Sequence, residues 1–301
     1  MTTHHTVAVA TATLWTAPDR PRPVDAPALA APSSVREWAE RMSTDDRLDL
    51  HGRVESQVLL GDAVLVEEER DGWARVVVPA QPSSKDPRGY PGWLPTVQLT
   101  EGPPPDPATR AVVRVPTTAL YATPDGPPLL AHLSFATGLA VAGEVTDGRE
   151  AGWLPVSVPG RPEPAWVPAG DVDVAPAAPL RPADVLGAAG QFLGLAYLWG
   201  GTCGLGLDCS GLVHLVLRRY GVSVPRDGHD QAAAAPVRVD PAEAVVGDLL
   251  FFAKPGQEIH HVGICAGDGR MLHAPETGRL VACEPLSGRR REHLVAVGRW
   301  A

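Results

Sequence analysis

A chain of 301 residues exceeds what one hydrophobic core usually supports, so two or three domains are expected. Its 32 Pro and 31 Gly, with few aromatics beyond eight Trp, favour short strands joined by turns, largely β with some helix. A net charge of −9, with no basic run denser than Arg289 to Arg291, argues against nucleic acid and anionic membrane surfaces as partners.

The N-terminal MTTHHTVAVATATLW lacks the basic start and long apolar run of a secretory signal, and no segment approaches the about 18 apolar residues of a membrane span. A soluble, cytoplasmic chain is the resulting expectation. Cys203, Cys209, Cys265 and Cys283 form no CxxC pair, so neither a disulfide framework nor a metal site is expected.

A degenerate repeat organises the first 175 residues. Leu14-Trp15-Thr16-Ala17-Pro18-Asp19 returns as Leu120-Tyr121-Ala122-Thr123-Pro124-Asp125, an offset of 106. Trp73 and VVVP return as Trp153 and VSVP at an offset of 80, and GWLP at 92 to 95 returns as AWVP at an offset of 73. The shrinking offset places insertions in the first copy. The larger one includes SSVREWAERM, where Ser33 or Ser34 can cap a short helix with Val35, Trp38 and Met42 on one face. Elsewhere apolar and polar residues alternate between turn signals, as in AVLVEEERDGWARVVVP, which predicts small antiparallel barrels at 1–105 and 106–175. The Pro-rich EGPPPDPATR separates them.

A second Pro-rich stretch, APAAPLRP, leads into a third unit at 176–301. ADVLGAAGQFLGL has helical spacing, and CSGLVHLVLRRYGV places Leu212, Val213, Val216 and Leu217 on one helix face, with Arg218, Arg219 and Gly221 marking its C-terminus. Short strands follow in DLLFFA, HVGICAG, RMLHA, LVACEPL and LVAVGRW, so this unit is α+β.

Between the two helices lies GGTCGLGLDCSGLV, residues 200 to 213. Cys209 falls at a helix N-terminus, where unpaired N–H groups and the helix dipole favour a thiolate. Local sequence fits a nucleophile and a packed thiol equally well, because free cysteines are among the most buried residues. A partner base favours the first reading: His261 and His273 lie on adjacent predicted strands, and a thiol, an imidazole and an orienting group form a nucleophilic set. His260 points to the opposite strand face. His4, His5, His51, His132, His214, His229 and His293 are read as ordinary structural histidines.

The ordered motifs YLWGGTCGLGLDCSGLV, VPRDGHDQ, GDLLFF, HHVGICAGDGRMLHA and VGRW resemble the NlpC family (NlpC/p60-type) of papain-like cysteine peptidases over residues 180 to 301. The resemblance implies Cys209 as nucleophile, His261 as base and then acid, His273 as its orienting partner, and Tyr197 reaching toward the cysteine as an oxyanion donor. Upstream, VESQVLLGD at 54 to 62 and DPRGYPGWLP at 86 to 95 resemble the bacterial SH3-type domain of one branch, the YkfC-type γ-D-glutamyl-L-diamino acid endopeptidases. The implied fold is multidomain: two SH3-like β-barrels followed by a papain-like α+β cysteine peptidase domain.

That branch implies a substrate as well: wall-derived peptides that begin with a free L-Ala, cut between γ-D-Glu and the diamino acid. Glu55, Tyr90, Asp208, Ser210 and Asp227 are the implied substrate-binding residues, and carboxylates and a phenol around a small pocket suit an ammonium. No cofactor or metal is implied, and a monomer is expected. Three positions depart from the pattern: Gly228 replaces a small hydroxyl residue, LLG replaces LYG after Glu55, and Cys203 stands where a polar residue is usual. Cys203 suggests a reversible disulfide with Cys209. The rival readings are a secreted hydrolase of intact wall and a non-catalytic wall-binding protein.

Overall fold

The computed structural model describes residues 2–104, 109–124, 126–142, 152–174 and 180–300. Residues 105–108 and 175–179 of the Pro-rich connectors, and Asp125 of the repeat, lie outside them.

The alternating first segment forms seven antiparallel strands: β1 (Thr3–Val7), β2 (Thr11–Trp15), β3 (Val54–Leu59), β4 (Ala63–Arg70), β5 (Trp73–Val78), β6 (Tyr90–Pro95) and β7 (Leu99–Glu101). In β4, Val64 and Val66 are buried while Leu65 and Glu67 are only half-buried, the period of a strand with one face on a core. The sheet order is β3-β2-β6-β5-β4-β1-β7.

The second segment repeats it with β8 (Arg110–Val113), β9 (Thr117–Tyr121), β10 (Pro128–Ser134), β11 (Gly138–Val141), β12 (Trp153–Ser157), β13 (Ala165–Pro168) and β14 (Val172–Val174). Their order, β10-β9-β13-β12-β11-β8-β14, is the first order shifted by seven strands. Trp15 and Tyr121 close β2 and β9, Trp73 and Trp153 open β5 and β12, and Trp93 and Trp166 lie in β6 and β13.

The large insertion separates β2 from β3 and folds as α1 (Ala26–Leu29), α2 (Val35–Arg41) and α3 (Thr44–Leu48). Ser34 caps α2 by accepting the Glu37 N–H, while Ser33 donates to the Thr11 carbonyl instead. Val35, Trp38 and Met42 are buried, and the Trp38 Nε1–H donates to Asp25, itself paired with Arg22. Burying such an aromatic stabilises by roughly 1.5–3 kcal/mol. Its contacts are not confined to its own sheet, because Trp38 shares one core cluster with Trp15, Phe135, Val185 and Phe192. The insertion is therefore the wedge between the first sheet and the C-terminal region.

That region holds α4 (Pro182–Gly190), a hairpin of β15 (Thr202–Cys203) and β16 (Gly206–Leu207), α5 (Cys209–Arg219) and α6 (Gly228–Ala234). A six-stranded sheet follows from β17 (Val237–Val239), β18 (Leu249–Ala253), β19 (Ile259–Gly267), β20 (Arg270–His273), β21 (Ala282–Pro285) and β22 (Leu294–Arg299), with α7 (Arg289–Glu292) before its last strand. The order is β17-β22-β18-β19-β20-β21. Strand β17 carries no clear sequence signal, and α4 stops at Gly190, short of the helical pattern that runs to Leu195.

Helix α5 departs from the one-faced reading: every residue from Ser210 to Leu217 is buried, because β19, α4 and the hairpin enclose it. Its last turn does more than answer the helix dipole. Arg218 pairs in bidentate fashion with Asp62 and Arg219 pairs with Asp173, tying α5 to both preceding sheets. The glycine-rich loop follows the same logic. A Cβ on Gly204 would lie 1.9 Å from the Pro116 carbonyl oxygen, and one on Gly211 would lie 2.0 Å from the Gly201 carbonyl oxygen. Only glycine lets the hairpin rest on the second sheet, where the Gly204 N–H donates to Ser134 Oγ at 2.9 Å.

Candidate active site

Cys209 opens α5 and faces a cleft of about 380 Å³ whose walls include Tyr197, Trp199, His51, His261 and Arg290. The expected thiolate is corrected here. Desolvation, and after it the neighbouring Asp208 carboxylate, push the thiol up to about 12, the direction opposite to the one a helix N-terminus favours.

His261 and His273 lie on adjacent strands, 6% and 0% exposed. His273 stands one residue beyond the Ile264–Leu272 pair, opposite Gly263, and leans across toward His261. His261 Nε2 is 2.8 Å from His273 Nδ1, and His273 Nε2 is 3.3 Å from Glu284 Oε2 on β21. Glu284 also accepts from Arg279. Because a carboxylate only accepts, the network assigns a proton to His273 Nε2, leaves its Nδ1 to accept from His261 Nε2–H, and frees His261 Nδ1 as the basic nitrogen. Desolvation, then His273, holds His261 well below its ordinary value; desolvation, then Arg290, lowers His273 to about 4. Both imidazoles are neutral near pH 7. Glu284 escaped the sequence reading because LVACEPL looks like an ordinary strand.

Tyr197 is 6% exposed on the cleft wall, and desolvation followed by Cys209 raises its hydroxyl well above the ordinary phenol value. It therefore remains a proton donor.

Outside the lining of this cleft the structure assembles Glu55, Tyr90 and Asp227. Glu55 is the extra residue of a β-bulge: Leu14 pairs with Ser56 and Trp15 with Val54, which re-aims the Glu55 side chain. Tyr90 opens β6 and is 2% exposed, and its hydroxyl donates to Asp227 Oδ2 at 3.0 Å while lying 3.3 Å from Glu55 Oε2. Asp227 occupies the N-cap position of α6, yet its carboxylate makes no cap bond and faces Tyr90 instead.

The geometry corrects the reading of Asp208 as a substrate ligand and ties Ser210 into the same buried network. The Asp208 carboxylate accepts from Arg226 Nη1 (3.1 Å) and Nη2 (2.6 Å), from the N–H groups of Gly200 and Gly211, and from Ser210 Oγ. Five donors take up its lone pairs, leaving none for an ammonium. Ser210 Oγ donates to Asp208 and accepts from Arg226, so its proton is committed to the same network while one lone pair stays open. Arg226 is buried and its Nε donates to Ser56 of β3, bridging the first sheet to the nucleophile loop.

Several participants carry no distinctive sequence signal. His51, read as an ordinary structural histidine, lines the cleft and stacks on Trp199 with ring centroids 3.6 Å apart; His293 lines the same cleft. Lys85 places Nζ 2.5 Å from Glu55 Oε2 and 2.7 Å from the Tyr90 hydroxyl. A Cβ on Gly228 would meet only Ile259 and Val262, both at 3.9 Å, so the missing hydroxyl leaves room. Cys203 is a buried free thiol in β15, pushed up to about 11 by desolvation, while Cys209 opens on the cleft. That environment disfavours the thiolate needed for disulfide exchange. Asp227, His229 and Asp230 place ligand atoms close enough to hold a cation, but these acids already bind Tyr90 and the Ser84 N–H.

A helix-borne thiol packed on an antiparallel sheet that carries a histidine relay defines an α+β cysteine hydrolase. The NlpC/P60 family profile matches residues 194–299. The γ-D-glutamyl-L-lysine dipeptidyl-peptidase of Bacillus subtilis is 41% identical, with 92% of each chain covered. The Bacillus cereus protein of that name is 35% identical over 93% of this chain and 85% of its own. A crystal structure of an NlpC/P60 family protein from Bacillus cereus superposes with a TM-score of 0.90 at 33% identity, covering 98% of this chain and 99% of the other. The chain belongs to the NlpC/P60 family of cysteine peptidases.

Proposed function

We propose that the enzyme hydrolyses the amide between a γ-D-glutamyl residue and the following L-diamino acid in wall-derived peptides with a free amino terminus. The observation that carries this reading is the Glu55–Tyr90–Asp227 cluster. It joins the nucleophile helix through Arg226 and Asp208, so the peptide's first ammonium is measured from Cys209. The relatives named as γ-D-glutamyl-L-lysine dipeptidyl-peptidases support the bond chosen.

In this mechanism His261 Nδ1 takes the Cys209 proton as sulfur attacks the γ-carbonyl carbon. The Cys209 N–H and the Tyr197 hydroxyl hold the oxyanion. The imidazolium, stabilised through His273 and Glu284, then protonates the departing amine, and water hydrolyses the thioester with His261 again as base. Asp208 and Ser210 act as positioning residues that fix the start of α5. Two bacterial SH3-type barrels at 1–105 and 106–175 precede the peptidase unit at 176–301. The first closes the cleft and the second supports the loop. A pocket that demands a free amine selects released peptides over intact wall, which suits peptide recycling in the cytoplasm.

The test is turnover of L-Ala-γ-D-Glu-L-Lys and its diaminopimelate analogue beside their N-acetylated forms, with Cys209→Ala as control. Cleavage of the free-amine peptides alone is expected. Equal cleavage of the acetylated forms would point to a wall hydrolase, and no cleavage at all to a binding protein.

A further inference from the structure

The amine pocket is already filled. Lys85 Nζ lies 2.5 Å from Glu55 Oε2, 2.7 Å from the Tyr90 hydroxyl and 4.0 Å from Asp227 Oδ2, and 4.4 Å from the centroid of the Tyr90 ring. We propose that Lys85 is a specificity-determining residue whose ammonium occupies the amino-terminus site in the resting enzyme and is exchanged for the ammonium of the substrate. This rests on the amine-pocket reading above.

Charge and mobility both support exchange. Glu55 and Asp227 bring two carboxylates to one phenol, and the nearby Arg226 is bidentate on Asp208, so Lys85 is the ammonium that faces both acids. A substrate ammonium entering as Lys85 leaves keeps that balance. Lys85 stands on the loop between β5 and β6 with its side chain 38% exposed, and the loop is held by other contacts: the Ser84 N–H on Asp230, and Arg88 on Asp86 and Glu67. The ammonium can therefore swing out on its own flexible stem while the backbone stays docked.

Exchange also sharpens selection. An N-acylated peptide brings no charge, so removing Lys85 for it would strand two carboxylates, and leaving Lys85 in place denies it the site. The same competition weakens apparent binding of the correct substrate by the fraction of time Lys85 is out.

The experiment compares wild type with Lys85→Met and Lys85→Arg on L-Ala-γ-D-Glu-L-Lys, measuring KM at low and high NaCl. Exchange predicts that KM falls by about threefold or more in Lys85→Met, because an internal competitor is gone. It predicts a higher KM in Lys85→Arg, whose guanidinium can grip Glu55 with two hydrogen bonds. Wild-type KM should change little with salt, since one cation replaces another, whereas KM of Lys85→Met should rise as salt screens an uncompensated attraction. A KM that rises or stays level in Lys85→Met would overturn the proposal and make Lys85 a fixed counter-ion. Wild-type turnover of the N-acetylated peptide separates the two ideas. If it matches the free amine, the amine pocket itself is wrong; if wild type discriminates and Lys85→Met does not gain, only the exchange fails.

Discussion

The first and second sheets share one strand order and one bulge, yet among the described residues only the first lends side chains, Glu55 and Tyr90, to the cluster around Asp227. In the second sheet Leu120 pairs with Leu130 and Tyr121 with Pro128, which leaves Leu129 at the place that Glu55 holds between Ser56 and Val54. Leu129 packs on the core of its own sheet. At the offset that relates GWLP to AWVP, Tyr90 corresponds to Glu163, an exposed residue outside any strand. The backbone device that aims a side chain is thus present in both copies, with a carboxylate at the bulge in one and a leucine in the other. The second sheet contributes from behind, by giving the glycine loop a surface to rest on.

The largest effect that would sharpen this comparison is on substrate affinity. With the competing ammonium removed by Lys85→Met, replacing Glu55 with Gln takes one charge-assisted contact from the substrate, about 1.5–3 kcal/mol, so KM for the free-amine peptide should rise about 10- to 100-fold. Leu129→Ala, at the equivalent bulge, should leave KM unchanged. A KM shift of similar size in both variants would break the assignment of the pocket to the first sheet.

A pH profile asks whether that pocket reads charge. His261 must be neutral to accept the thiol proton, and because its folded value lies well below 6.5, the acid limb of kcat/KM should also fall below pH 6.5. Cys209, at about 12, gives no limb near neutrality. The substrate ammonium, with a free value near 8, should instead set the alkaline limb, about tenfold per pH unit beyond it, in kcat/KM but not in kcat. An alkaline limb that persists with a substrate whose terminal amine is a fixed trimethylammonium, which cannot lose its charge, would disconnect it from the pocket.

The smallest catalytic effect is expected where the second sheet meets the loop. Ser134→Ala leaves the Gly204 N–H without its partner, costing about 1–3 kcal/mol of stability by denaturant unfolding, with KM unaltered. A KM change as large as that of Glu55→Gln would show that the second sheet shapes the pocket after all.

These particular residues also show where reading the sequence succeeds. The Trp repeats, the alternation in β4 and the glycines around Cys209 are legible because each follows from local geometry: strand period, turn or close backbone approach. The insertion helix is legible from Ser34 and the spacing of Val35, Trp38 and Met42. Asp208 misled because adjacency to Cys209 looks like proximity to substrate, while its side chain turns back to cap α5 and meet Arg226, 18 residues later. Lys85, His51 and Glu284 were hidden for a related reason. Each is an unremarkable residue in its own segment and gains a role only when distant segments meet. The thiol was misjudged because dipole position is visible in sequence and desolvation is not.

The guanidinium of Arg226 has a consequence for ancestry. Recombination can exchange accessory modules freely when the seam between them holds only replaceable contacts. Here the guanidinium of the buried Arg226–Asp208 pair also donates to Ser56 of the first sheet, and leaving that buried donor without its acceptor costs about 1–3 kcal/mol. A transplanted sheet would need to arrive with a hydroxyl in the same place. In this chain the accessory sheet and the peptidase unit therefore share a buried polar contact that a replacement sheet would have to supply.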